Sequence, residues 1–93
     1  MSIEFEWDSA KAEANLQKHG VSFEEATTAF YDALSFTIPD PLHSEGQARF
    51  VLLGQTSGGR LVVVVHVDRG ARIRLISARA ATRKERRQYE TNH

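Results

Sequence analysis

A chain of 93 residues with 41% apolar and 26% charged side chains is sized for one hydrophobic core and excludes two lobes around a deep cleft, so function is expected on a surface or shallow groove. Its formal net charge of zero conceals two opposed halves: residues 1–48 hold nine acidic against two basic side chains, and residues 49–93 hold ten basic against three acidic. The absence of cysteine excludes disulfides, thiolate chemistry and cysteine-bound zinc, and the longest apolar run, 61–65, is far too short to span a membrane.

In chain order, Ile3, Phe5 and Trp7 alternate with Glu4 and Glu6, the period-two pattern of a strand with one buried face. Asp8 is placed to cap a helix over 9–18 that closes on Gly20. Ser22 and Glu25 have capping-box spacing for a second helix over 23–31, with Phe23, Ala26 and Phe30 on one stripe. A short strand over 35–38 ends at Pro39-Asp40-Pro41, and a polar loop follows to Gln47. Residues 49–55 read as a strand, 57–59 as a hairpin turn, and 60–67 as a central strand too apolar to have a wet face. After a turn at 68–70 comes a last strand over 71–78. Thr82 and Glu85 form a capping box opening a helix to about residue 90. The expectation is one α/β (α+β) domain over residues 1–93, in the order β-α-α-β-β-β-β-α. Its sheet is twisted and mainly antiparallel, with Trp7, Phe23, Phe30, Leu52, Val63 and Val65 in the core.

The basic charge is nearly all arginine, and eight cations fall within residues 69–87: Arg69, Arg72, Arg74, Arg79, Arg83, Lys84, Arg86 and Arg87. Arg83 and Lys84 stand in the first turn of a helix, where the dipole disfavours positive charge. Arg72 and Arg74 share one side of their strand. Together these define a surface for an acidic partner or a nucleic acid. Lys11, Asn15 and Lys18 lie at helical spacing and form a polar stripe ending at His19. His66 shares a strand face with Val62 and Val64, where a histidine is more often a core residue than a proton carrier. His43 falls in the polar loop and His93 at the terminus. The four histidines lack zinc-site spacing, and the chain has no acidic calcium cluster or glycine-rich phosphate loop. No metal or cofactor is therefore expected.

The string Phe5-Glu6-Trp7-Asp8, then Lys11, Asn15 and Lys18-His19-Gly20-Val21-Ser22-Phe23-Glu24-Glu25-Ala26, resembles the N-terminal signature of BrnT-type toxins. The resemblance continues through Asp40-Pro41, His43-Ser44, Arg49-Phe50, Gly59-Arg60-Leu61, Val63-Val64-Val65-His66, Arg74, Ile76-Ser77-Ala78-Arg79, Thr82, Glu85-Arg86 and Tyr89. It implies a RelE-like ribonuclease fold and the toxin half of a type II toxin–antitoxin pair. It further implies a cytoplasmic, metal-independent RNA endonuclease that inhibits translation. A BrnA-type antitoxin with a ribbon-helix-helix domain would neutralise it and make the only contact with operator DNA. The resemblance carries over Lys18, Arg49 and Arg79 as phosphate-facing cations, with His19 or His66 moving the proton. Arg72, Arg74, Arg83, Lys84, Arg86 and Arg87 are expected to bind RNA. Many relatives have a glutamate immediately before the position of Arg49, where this chain has Ala48; Glu45 is the nearby substitute. The alternative reading keeps the fold without the reaction, as a module that grips its antitoxin in promoter autoregulation.

Overall fold

The computed structural model describes residues 3–43 and 46–92. The elements are β1 (Glu4–Glu6), α1 (Ser9–His19), α2 (Phe23–Thr28) continued by a 3₁₀ turn (Ala29–Tyr31), and β2 (Phe36–Pro39). A second 3₁₀ turn (Pro41–His43) precedes β3 (Arg49–Gln55), β4 (Leu61–Arg69), β5 (Arg72–Ala80) and α3 (Arg83–Thr91). This is the order read from the sequence. Asp8 accepts from the Lys11 N–H, and Thr82 and Glu85 form a reciprocal capping box, as their spacing suggests; at Ser22 only half of the expected box forms, the hydroxyl accepting from the Glu25 N–H while the Glu25 carboxylate is taken by Arg60. Gly20, at φ 69°, ends α1 in the left-handed conformation that a side chain would strain.

The five strands form one sheet in the order β1-β5-β4-β3-β2. Three of its pairings are antiparallel, and β1 joins β5 in parallel because the α1–α2 hairpin carries the chain across one face before it returns. β4 occupies the centre and is buried on both faces, as its unbroken apolar run requires. On one face Val62 and Val64 join Leu52, Leu75 and Ala78 under Val21, Phe23, Ala26 and Ala29, with Phe5, Trp7 and Phe30 at the margin. On the other, Leu53, Leu61 and Val63 are covered by Ala81 and Tyr89 of the α3 segment. Of the expected core, Phe23, Leu52 and Val63 are fully enclosed, whereas Trp7, Phe30 and Val65 are only half-buried. Gly54 is required where β3 passes beneath the 3₁₀ turn: a Cβ there would lie 2.9 Å from the Ala29 carbonyl oxygen and from Ser35 Cβ.

Asn15 overturns the expected polar stripe. Lys11 and Lys18 are exposed, but Asn15 is buried between α1 and β5. Its Nδ2 donates to the Val21 and Ala78 carbonyls, both at 2.9 Å, and its Oδ1 accepts from the Ala78 N–H at 3.0 Å. β1 covers only the 72–74 stretch of β5, so beyond it this amide stands in for a strand partner. Asn15→Ala strands the partners of three buried hydrogen bonds, each worth about 1–3 kcal/mol. The expected loss is roughly 3 kcal/mol in urea unfolding, whereas Lys11→Ala should stay within about 0.5 kcal/mol of the parent.

Candidate functional site

The face of the sheet that α1 and α2 leave uncovered carries the arginines. Strand register sets them in a row: Arg49 of β3 lies opposite Val67 of β4, Val67 opposite Arg74 of β5, and Arg74 beside Glu6 of β1. Asp40 extends the row at the other end, because its N–H donates to the Arg49 carbonyl at 2.8 Å and continues the β2–β3 ladder by one residue. The order across the sheet is thus Asp40, Arg49, Val67, Arg74, Glu6. Two cations flank an apolar floor, each with a carboxylate on its outer side. Adjacent strands lie about 4.8 Å apart, so the backbones of Arg49 and Arg74 are separated by about 10 Å. That gap suits a phosphate held between two guanidinium groups.

A β-bulge completes the face. The β4–β5 register shifts between Val65 and His66, so that Ser77 pairs with Val65, Leu75 pairs with His66, and Ile76 is the extra residue. In an uninterrupted strand Arg74 and Arg79, five positions apart, would point to opposite faces. The inserted residue brings Arg79 to the side of Arg72 and Arg74. Arg79 sits at the α3 end, forked onto Glu85 by bonds of 2.8 Å from Nη1 and Nη2. Arg74 Nη1 donates to Glu6 at 2.9 Å, and Arg69 and Arg72 lie within 4 Å of β1 carboxylates. The acidic half of the chain therefore compensates the basic half pairwise along the β1–β5 seam. Arg83, Lys84, Arg86 and Arg87 project from α3 exposed, with no carboxylate among the described residues paired to them.

Three sequence-predicted residues do not join this face. His66 is 4% exposed on the opposite face, its ring against Phe30 at 4.9 Å and Phe50 at 5.9 Å. Neither of its nitrogens has a hydrogen-bond partner among the described residues, and burial pushes its pKa down, so it is held neutral in the core. Lys18 and His19 end α1 beside Gly20. The Gly20 carbonyl accepts from Arg60 at the β3–β4 hairpin, where Arg60 is also ion-paired to Glu25. Arg49 stands at the other end of those strands. The six-residue step from Leu61 to Val67 spans about 20 Å, which separates Lys18 and His19 from Arg49. Glu45 and His93 lie outside the described residues. The sequence reading named Asp40 and His43 in the family signature but gave them no role; Asp40 pairs with Arg49, and His43 Nδ1 lies 3.0 Å from Asp40 Oδ2. Their i,i+3 spacing next to Pro41 was the available signal.

The fold and the face define the class: a small mixed-sheet α/β protein whose charged groups are displayed on an open sheet surface rather than in a cleft. The chain belongs to the BrnT family, since a family model described as "Ribonuclease toxin, BrnT, of type II toxin-antitoxin system" matches residues 7–85. It is accordingly a ribonuclease toxin of that family, and the type II class implies an antitoxin as its partner. The crystal structure of the Brucella abortus ribonuclease toxin BrnT is similar in fold, with a TM-score of 0.70 and 24% identity, over 88% of this chain and 100% of that one. No curated protein matches the chain. Among the described residues no helix is long and apolar enough to cross a membrane, and no group of three or more histidine, aspartate and glutamate side chains is gathered to hold a metal ion.

The Arg79–Glu85 pair has a measurable pH signature. Hydrogen bonds from Arg79 are the main reason that the Glu85 carboxyl falls from its ordinary 4.5 to about 2 in the folded chain. The folded state therefore releases a proton that the unfolded state keeps. The stabilisation is complete above pH 4.5 and is withdrawn as pH falls toward 2. A series of urea midpoints followed by Trp7 fluorescence should decline across that window, and Glu85→Gln should show a shallower decline together with lower stability at neutral pH.

Proposed function

We propose that this protein is a metal-independent RNA endonuclease that arrests translation. The scissile phosphate sits over Val67 between Arg49 and Arg74, and the adjacent ribose 2′-hydroxyl attacks it. The cross-sheet row carries this reading: strand register sets two arginines on either side of Val67, one of them held by Glu6, so their charge meets the charge that grows on a pentacoordinate phosphate. The exposed cations of α3, whose charge no described carboxylate compensates, extend the contact along the RNA backbone, with Arg72 and Arg79 between them and the phosphate. A BrnA-type ribbon-helix-helix antitoxin covers the same face in the inactive complex and supplies the contact with operator DNA. Both roles are consistent with a cytoplasmic protein. The position of Lys18 and His19, about 20 Å away along the sheet, supports a role for them outside the reaction centre.

A second reading, a module that grips its antitoxin without cutting RNA, is favoured by the fork that ties Arg79 to Glu85. The two readings part on product analysis. Incubation of the purified chain with a defined RNA should yield ends bearing 2′,3′-cyclic phosphate and 5′-hydroxyl groups, and intact RNA would establish the binding module instead. Arg49→Ala should lower the cleavage rate by about 10²- to 10³-fold. Arg49→Lys should restore only part of it, because an ammonium keeps the charge but loses the bidentate fork. Lys18→Ala should cleave like the parent. Arg86→Ala should weaken RNA binding while leaving the rate at saturating RNA unchanged.

A further inference from the structure

We propose that His43, oriented by Asp40, is the proton acceptor of the RNA-cleaving site; this rests on the ribonuclease reading above. Three observations converge on it. Nδ1 of His43 lies 3.1 and 3.0 Å from the two carboxylate oxygens of Asp40, and the His43 backbone N–H donates to the Asp40 carbonyl at 3.3 Å, so the residue is tied at side chain and backbone to one partner. Asp40 in turn stands opposite Arg49 in the extended ladder. Directly opposed residues on one face of a sheet have Cβ atoms about 5 Å apart, which leaves the imidazole one carboxylate away from the arginine that binds phosphate. The His43 side chain is 65% exposed and that of Asp40 23%, so the ring is open to a ligand while its anchor is partly shielded.

The tautomer follows from the anchor. A carboxylate accepts only, so the Nδ1 facing it carries the hydrogen and the neutral ring keeps its lone pair on Nε2. That is the state a general base requires, and the carboxylate also stabilises the imidazolium that forms. The other histidines within the described residues are not placed for this role: His66 is enclosed on the far face, and His19 stands at the hairpin end of the sheet.

In the step proposed, Nε2 of His43 takes the 2′-hydroxyl proton while the 2′-oxygen bonds to the adjacent phosphorus and the bond from phosphorus to the 5′-oxygen breaks. Water protonates the leaving 5′-oxygen, and the hydroxide so formed takes the proton back from the imidazolium. The products are one 2′,3′-cyclic phosphate end and one 5′-hydroxyl end, with the enzyme regenerated. Asp40 is a positioning residue: it acts through the ring.

The test is single-turnover cleavage of a defined RNA oligonucleotide by the full chain, with both product ends identified. His43→Gln keeps an N–H donor for Asp40 but offers no basic nitrogen, and it should lower the rate at saturating RNA by about 10²- to 10⁴-fold with little change in RNA affinity. His43→Ala should lose as much and recover part of it on addition of free imidazole. Asp40→Asn should slow the parent but add little to the loss in His43→Gln, because the two act as a unit. If the parent cleaves and His43→Gln cleaves equally fast, or if imidazole restores nothing to His43→Ala, the assignment of His43 is overturned while the ribonuclease reading stands. If the parent yields no cyclic-phosphate ends, both fall together.

Discussion

The buried amide of Asn15 is the contact on which the rest of the structure depends. β1 is three residues long and β5 nine, so among the described residues most of one edge of β5 has no strand beside it. Exposed strand edges invite non-native pairing, and a buried edge with unpaired groups is costly. One side chain meets both demands by bonding the N–H and C=O of Ala78 as a strand would, while its second donor hydrogen fixes the chain just after α1 at Val21. Through this clamp α1 is locked against β5, the α1–α2 hairpin covers one face of the sheet, and the other face is left for the arginines.

That uncovered face is organised by pairing rather than by accumulation of charge. Arginines packed closely on one strand repel one another, and the fold relieves this by placing the most acidic strand beside the most basic one. Glu4 and Glu6 of β1 lie against Arg69, Arg72 and Arg74, and Glu85 holds Arg79 at the α3 end. These pairs are partly exposed and contribute little to stability individually. Their value is geometric: the Arg79 guanidinium forked onto Glu85 and the Arg74 guanidinium bonded to Glu6 have a defined orientation before any ligand arrives, which reduces the ordering cost of binding. The α3 cations have no such partners among the described residues, and they are the charges most free to meet a polyanion or an acidic protein surface.

The opposite face shows the same logic for the hydrophobic layer. His66 is tolerated there because aromatic rings of Phe30 and Phe50 surround it and burial keeps it uncharged. On the arginine side, Tyr89 fastens α3 across the sheet by donating to Asp32 at 2.7 Å, and the same carboxylate accepts from the Gln55 N–H at 2.8 Å. This bond is the main reason that the Tyr89 phenol is pushed up to about 12. The helix that carries the free cations is thereby anchored to β3 and to the end of the α2 segment.

Local chemistry sufficed to determine the element order, the caps at Asp8, Ser22 and Thr82, the chain reversal at Gly20 and the double burial of β4, because each depends on neighbours within a few positions or on unbroken apolarity. The arginine concentration and the family resemblance were legible for the same reason. Side-chain facing and long-range register were not. A single inserted residue at Ile76 decides that Arg79 shares a face with Arg74, and no feature of the sequence announces a bulge. Helical spacing grouped Asn15 with Lys11 and Lys18, yet the missing length of β1 drew Asn15 inward to serve Ala78. Alternation placed His66 with Val62 and Val64, but only packing by α2 and its 3₁₀ turn showed which of the two faces that was. Asp40 and His43 looked like loop residues until the β2–β3 ladder, pairing positions nine apart in the chain, set them beside Arg49. Propensity and capping act within a turn or two of chain, whereas a surface site on a sheet is assembled across strands, where tertiary pairing alone sets which side chains are neighbours.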